Sequence, residues 1–324
     1  MVEILTLDMH THLNEKKTKP KAFWERVQEI GLSGVAITEH ANFNPGLAFE
    51  KLEAERPEGI FLIPGMEINC ASGHMLAFSS TPELYEIEAL RGKNVSLEKL
   101  LEERDRHGFL LAVAHPWGLS YDSIGYAFGA DAIEELVQEN GLGVETYNGM
   151  IGHLSNFIYD SNWVRKPVNF FDFLEKNRVA RKTGLARLGR GMKSRIDKRC
   201  FDVIHRCAKA VELGSVASFV TAGSDAHSAE RIGSGILKIK TGRAVDSVEA
   251  LLEEIRKKEQ VIWAGPLVRE IKKGVYEKID DPLRRKEIIQ GVGYAARKAI
   301  GRVSLKEKIV SRLHRKKKKS KQVP

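Results

Sequence analysis

The stretch Ile4-Leu5-Thr6-Leu7-Asp8-Met9-His10-Thr11-His12 decides the fold. Its first half is an apolar, strand-like run, and its second half carries an acid and two imidazoles. Side chains alternate faces along a strand, so His10 and His12 point the same way and are able to grip one metal ion. The pair has company. Thr38-Glu39-His40, Gly65-Met66-Glu67, His74, His115 and Gly223-Ser224-Asp225-Ala226-His227 each stand at or just past the end of an apolar, strand-like run. Carboxylates and imidazoles gathered at one rim of a barrel make a multinuclear metal site.

Outward from that stretch the chain alternates. Helical segments are expected at Lys21–Ile30, Gly46–Glu55, Ser96–His107 with Ser96 as N-cap, Ala132–Glu139, Phe201–Leu213 and Ser247–Lys258. Between them lie strand-like runs at 34–38, 60–63, 75–78, 109–114, 143–146, 216–222 and 261–263, with Pro64-Gly65 read as a break. Strand-helix alternation argues for parallel βαβ units, and about seven repeats favour a closed (β/α) barrel over an open sheet. Function in such barrels lies at the C-terminal ends of the strands, where these motifs fall.

Two segments break the rhythm. Residues 151–200, with 12 basic and 4 acidic residues, include the Gly-Arg-rich text Thr183–Gly191 and read as a partly helical insertion at the rim. From Val268 onward there are 19 Lys/Arg and 6 Asp/Glu, ending in the basic run Arg315–Lys319. The expected organisation is a catalytic domain over 1–266, containing the basic insertion, and a helical basic extension over 267–324 with a frayed end. The rest of the chain is mildly acidic, so the net charge of +9 resides in these additions. Basic additions suit a polyanion or an anionic surface, while a solvated tail is the plainer reading of a Lys run.

No apolar stretch approaches the ~20 residues of a membrane span, and the N-terminus lacks a secretory signal pattern. Cys70, Cys200 and Cys207 fit neither a zinc spacing nor a disulfide framework, so a reducing, cytoplasmic setting is expected. His107, His153, His205 and His314 have no companion acid at a strand end and read as structural.

Taken together, Asp8-Met9-His10-Thr11-His12, Ile37-Thr38-Glu39-His40, Gly65-Met66-Glu67-Ile68, His74, Ala114-His115-Pro116, Val144-Glu145 and Gly223–His227 resemble the PHP (polymerase and histidinol phosphatase) superfamily in order and spacing over residues 3–265. The resemblance implies an α/β fold, a distorted (β/α)7 barrel of the PHP type, holding two or three divalent ions, usually zinc, manganese or iron. It implies that His10, His12, Glu67 and Asp225 hold one ion. Glu67 would bridge to a second held with His74 and His115, and His40 and His227 would hold a third. Neutral imidazole and carboxylate donors suit those metals. Asp8 reads as a partner orienting an imidazole, or as a strand-end turn residue. The chain departs from the family at Lys17, where an acid is usual. Glu15 reads first as an ordinary exposed acid and second as its substitute. Glu39 replaces the usual Asp.

The implied reaction is phosphoester hydrolysis by metal-activated hydroxide. Arg231 is the candidate cation for the outer phosphoryl oxygens, or a salt-bridge partner of its own segment, and Lys17 is a second candidate. The two basic segments tilt the reading towards a nucleotide or oligonucleotide substrate. Tyr147, Phe157, Tyr159, Trp163, Phe170 and Phe171 read first as the insertion's small core and second as base-stacking surfaces. The alternatives are a histidinol phosphatase or another small-metabolite phosphatase, and a nucleic-acid-binding protein with a structural metal site.

Overall fold

The computed structural model describes residues 3–118, 122–160, 162–258, 261–265 and 276–278. The chain divides into two compact units, Met1–Asp281 and Pro282–Pro324. The second lies outside the described residues, as does the expected helical extension, apart from one strand at Tyr276–Lys278.

In chain order the first unit runs β1 (Glu3–Thr11), α1 (Pro20–Glu29), β2 (Gly34–Ile37), α2 (Pro45–Glu53), β3 (Phe61–Cys70), β4 (Gly73–Phe78), α3 (Leu97–His107), β5 (Leu110–Val113), α4 (Ile124–Phe128), α5 (Ala130–Glu139) and β6 (Gly143–Asn148). It continues through α6 (Gly149–Asp160), α7 (Asn162–Lys176), α8 (Arg178–Lys182), α9 (Leu185–Gly214), β7 (Val220–Gly223), β8 (Ile236–Thr241), α10 (Val248–Arg256), β9 (Val261–Gly265) and β10 (Tyr276–Lys278). The sheet order is β10-β9-β8-β1-β2-β3-β4-β5-β6-β7.

The ring closes on β1, which is shared. Residues Glu3–Leu7 pair antiparallel with β8, while Thr11 bridges in parallel to Ala226, just past β7. His12 N–H donates to Ala226 O at 2.9 Å and Asp225 N–H to His10 O at 2.8 Å. The expected distorted α/β barrel is therefore present and nearly closed, with its tightest closure at the end that carries the histidines. Leu5, Leu7, Met9, Ile63, Leu76 and Phe78 fill one core cluster, all buried.

Two departures from simple βαβ repetition matter for the site. β4 runs antiparallel to both β3 and β5, so His74, at its beginning rather than its end, reaches the same rim from the opposite direction. The register also slips between Asp8 and Thr11 in β1 and between Glu145 and Tyr147 in β6. A bulge of this kind re-aims the side chains beyond it.

One local expectation changes. β3 runs unbroken through Pro64-Gly65. Gly65 is the last residue paired with β4, so the missing Pro64 N–H falls where β4 has already ended, and Pro64 O still accepts Ser79 N–H at 2.9 Å. The Gly-Arg-rich text, read as part of a partly helical insertion, lies within α9 from Leu185 onward, and Gly184, at φ 78°, makes the turn before it. Gly189 lets α9 approach α7, since a Cβ there would stand 3.1 Å from Leu174 Cβ and Phe171 O. Helices α6–α9 thus make up most of the described insertion, broken at Asn177 and at the Thr183-Gly184 turn. Ser96 does cap α3, accepting Lys99 N–H at 3.2 Å.

Candidate metal centre

Side chains from the end of β1, from β4, and from just past β2 and β5 converge on Glu67 of β3, which is 2 % exposed. Its Oε2 lies 3.4 Å from His10 Nε2, 3.4 Å from His12 Nε2 and 3.2 Å from His40 Nε2. Its Oε1 lies 2.7 Å from His74 Nδ1 and 3.0 Å from His115 Nε2. Asp225 Oδ1 stands 3.4 Å from His12 Nε2 and 3.7 Å from His10 Nε2. Three sets of donor atoms come close enough to share an ion: His10, His12 and Glu67; His40, Glu67 and His74; and His12, Glu15 and His227.

This geometry brings the expected residues together but regroups them. His40 joins Glu67 and His74, while His227 turns to Glu15, its Nε2 2.9 Å from Glu15 Oε2. His40 and His227 therefore fall into different donor sets rather than one. Glu15 is partly buried and stands in a donor set with His12 and His227, whereas Lys17 is exposed. Burial raises the Glu15 pKa, but the hydrogen bond and charge of His227, with the charge of His12, bring it down to about 2.

The donors fit divalent metal. His10 Nε2 and both ring nitrogens of His12 are buried without hydrogen-bond partners, a costly state unless an ion uses their lone pairs. Burial opposes charge on His12, yet the neighbouring carboxylates of Asp225, Glu39 and Glu67, at 3.4, 3.5 and 3.4 Å, lift its pKa to about 10. His115 is likewise lifted to about 9, against its burial, by a hydrogen bond to Glu67 and the charges of Asp122, Glu67 and Asp225. Without a metal, the carboxylates hold protons on these rings instead.

Around the donors stands a buried shell. Glu145, quoted above without a role, contacts His10 Nδ1 through Oε1 at 2.9 Å and accepts His115 N–H through Oε2 at 2.7 Å. Asn148 Nδ2 donates to both Glu145 Oε2 and Asp225 Oδ2, each at 3.2 Å. Glu39 Oε1 is 3.5 Å from His12 Nδ1, and its Oε2 accepts the Leu13 and Asn14 N–H groups. Such partners fix ring orientation and tautomer. His115 and Asp225 adopt φ of 26° and 54°, left-handed values that non-glycine residues rarely take.

Asp8 does not orient an imidazole ring. Its oxygens accept the Ser224 and Gly233 N–H groups at 2.8 Å, and the His10 N–H at 3.3 Å. It ties β1 to the loop that carries Asp225 and His227, and burial lifts its pKa to about 6 against those hydrogen bonds. Arg231 lies in the turn after His227, with Nη1 3.5 Å from His153 Nε2. His153, read above as structural, is buried beside that guanidinium. No local pattern marked it, because α6 brings it there from the insertion. Tyr147 is a core residue, Phe170 is exposed, and the side chains of Phe157, Tyr159 and Trp163 lie outside the described residues.

Fold and site together define a nearly closed α/β barrel with a His/carboxylate centre at its rim. A family model described as PHP-associated matches residues 219–259, from β7 through α10. No curated protein matches the chain. Among solved structures it is similar to PsfC from Pseudomonas syringae, at 16% identity and a TM-score of 0.50 over 82% of this chain and 92% of that one. It is also similar to a two-domain Bacteroides vulgatus protein containing a predicted PHP-like metal-dependent phosphoesterase, at 16% identity and a TM-score of 0.49 over 82% of this chain and 67% of that one.

Proposed function

We propose that this protein is a metal-dependent phosphoesterase that hydrolyses a nucleotide or oligonucleotide. The observation that carries the reading is Glu67, a buried carboxylate facing five imidazoles, with Asp225 beside two of them. Divalent cations held there supply Lewis-acid activation of water and of phosphoryl oxygen. His10, His12, Glu67 and Asp225 would hold one ion. Glu67, His40, His74 and His115 surround the place of a second, and Glu15, His12 and His227 that of a third.

The chain's own residues do the rest. Glu145 and Glu39 keep the His10 and His12 rings turned with Nε2 inward. His10 and His12 are fully buried, whereas the side chains of His40, His74 and His227 are 15, 19 and 29 % exposed, so substrate approaches from their side. Arg231, beyond His227, is the cation for the outer phosphoryl oxygens. The excess of basic residues in the insertion supports a polyanionic substrate. Cys70 and Cys207 are buried free thiols, in keeping with a reducing cytoplasm.

The test is hydrolysis by the full chain with manganese, zinc or neither. The substrates are a nucleoside monophosphate, a nucleoside bisphosphate, histidinol phosphate and a single-stranded oligonucleotide, with His10→Ala as control. Metal-dependent turnover of the nucleotides or oligonucleotide, lost in the control, is expected. Turnover confined to histidinol phosphate would move the assignment to a small-metabolite phosphatase. Tight oligonucleotide binding without turnover would move it to a binding protein.

A further inference from the structure

The hairpin of α7, α8 and α9 is apolar and cationic at once. Phe170 and Phe173 on α7, Val179 on α8, and Leu185 and Leu188 on α9 are 57, 59, 70, 47 and 61 % exposed. Half of the exposed large hydrophobics found among the described residues fall in these nineteen positions. The seam between the helices is set elsewhere, by Gly189 against Leu174 and by the buried Ala180 and Ala186. Phe170 and Phe173, like Leu185 and Leu188, are three apart and share a helix face. Each pair is rotated from its seam in the same sense. In an antiparallel helix pair that puts all four on one side.

Exposed cations lie on the same three helices. Lys176 and Arg190 pair with Asp172 and Glu175, whereas Arg178, Lys182 and Arg187 are exposed and reach no acid among the described residues. That charge argues against two occupants. A second copy would set like charge against like, and so would the chain's own basic C-terminal segment. Nucleic acid suits the cations but leaves Val179, Leu185 and Leu188 without use, since aliphatic side chains neither stack on bases nor bond phosphates. A bilayer surface with anionic headgroups uses both: the cations meet the headgroups, and the apolar side chains enter the boundary beneath.

We propose that the α7–α9 hairpin docks on an anionic phospholipid membrane surface. No described helix is long and apolar enough to cross a membrane, so the contact is peripheral. A further basic run, Arg315–Lys319, lies in the sequence outside the described residues. The proposal does not depend on the phosphoesterase reading.

The experiment is co-sedimentation of the full chain with vesicles of phosphatidylcholine alone, and with vesicles in which about a third of the lipid is phosphatidylglycerol. Binding to the anionic vesicles only, weakened by salt, is expected. The double variant Phe170→Ser/Phe173→Ser should lower the partition coefficient at least about tenfold while leaving helix content and metal content unchanged. Lys182→Glu/Arg187→Glu should weaken binding as well. Phe173→Trp should shift its fluorescence to the blue on adding anionic vesicles and not on adding neutral ones. Deleting residues 302–324 should weaken binding but leave its dependence on the phenylalanines. Equal binding to neutral vesicles, no binding to either, or an unshifted Phe173→Trp spectrum overturns the proposal. So does a dimer that the double variant converts to monomer, or an oligonucleotide complex that the double variant abolishes in a protein that ignores vesicles.

Discussion

Glu145→Gln should weaken metal binding by about 10–100-fold, equivalent to about 1.4–2.7 kcal/mol. The carboxylate is 1 % exposed and serves three donors at once, the His10 ring through Oε1 and the His115 N–H and Asn148 Nδ2 through Oε2. A glutamine offers one oxygen and one NH2 group. The His115 N–H is fixed by the backbone and claims the oxygen, so the NH2 faces His10 Nδ1. That ring nitrogen must then become the acceptor, and the imidazole proton moves to Nε2. Nε2 is the atom aimed at Glu67 Oε2 and Asp225 Oδ1, at 3.4 and 3.7 Å, where a metal needs a lone pair. Losing one charge-assisted buried hydrogen bond should also cost about 2 kcal/mol, and a few degrees of Tm, in the metal-free protein. Calorimetric titration with zinc or manganese and a thermal melt read the two effects separately. Affinity within about twofold of the parent protein would refute the tautomer argument, whatever happened to Tm.

Gly223→Ala would place a Cβ 2.5 Å from His10 N and still nearer His10 Cβ. A stability loss of about 1–3 kcal/mol by denaturant unfolding is expected, together with weaker metal binding, because the strained atoms belong to His10 itself. Glu15→Gln should remove one metal equivalent by elemental analysis at saturation and leave the more buried ions in place; unchanged stoichiometry would return Glu15 to an ordinary surface role. Metal binding near pH 7.5 should release about two protons or more, since His12 and His115 titrate at about 10 and about 9 before metal arrives and must be neutral to bind. Apparent affinity should therefore rise with pH through that range. The heats of binding in buffers of different ionisation enthalpy give the proton count, and a buffer-independent heat would sink the claim.

The strand-end motifs were legible because they are local. An apolar run followed by His10-Thr11-His12, or by Asp225-Ala226-His227, states in a few residues both the element and the chemistry at its end. Asp8 was legible only as an acid near the site, because its partners Ser224 and Gly233 lie more than two hundred residues away. Helices α7–α9 were obscured by Gly184, Gly189 and Gly191. Glycine lowers helix propensity wherever it stands, and only the packed hairpin reveals that one of the three is a close-approach position.

By itself the sequence determined the donor types, their places at strand ends and the alternation that makes an α/β barrel, since these depend on spacing along the chain. The tertiary structure alone decided which donors meet. Ring closure at Thr11 and Ala226, the reversed β4, and the bulges in β1 and β6 set the angular position of every side chain on the rim. A single-residue change of register turns a side chain to the other face. For that reason His227 meets Glu15 rather than joining His40 in one donor set, and His10 meets an acid 135 residues away.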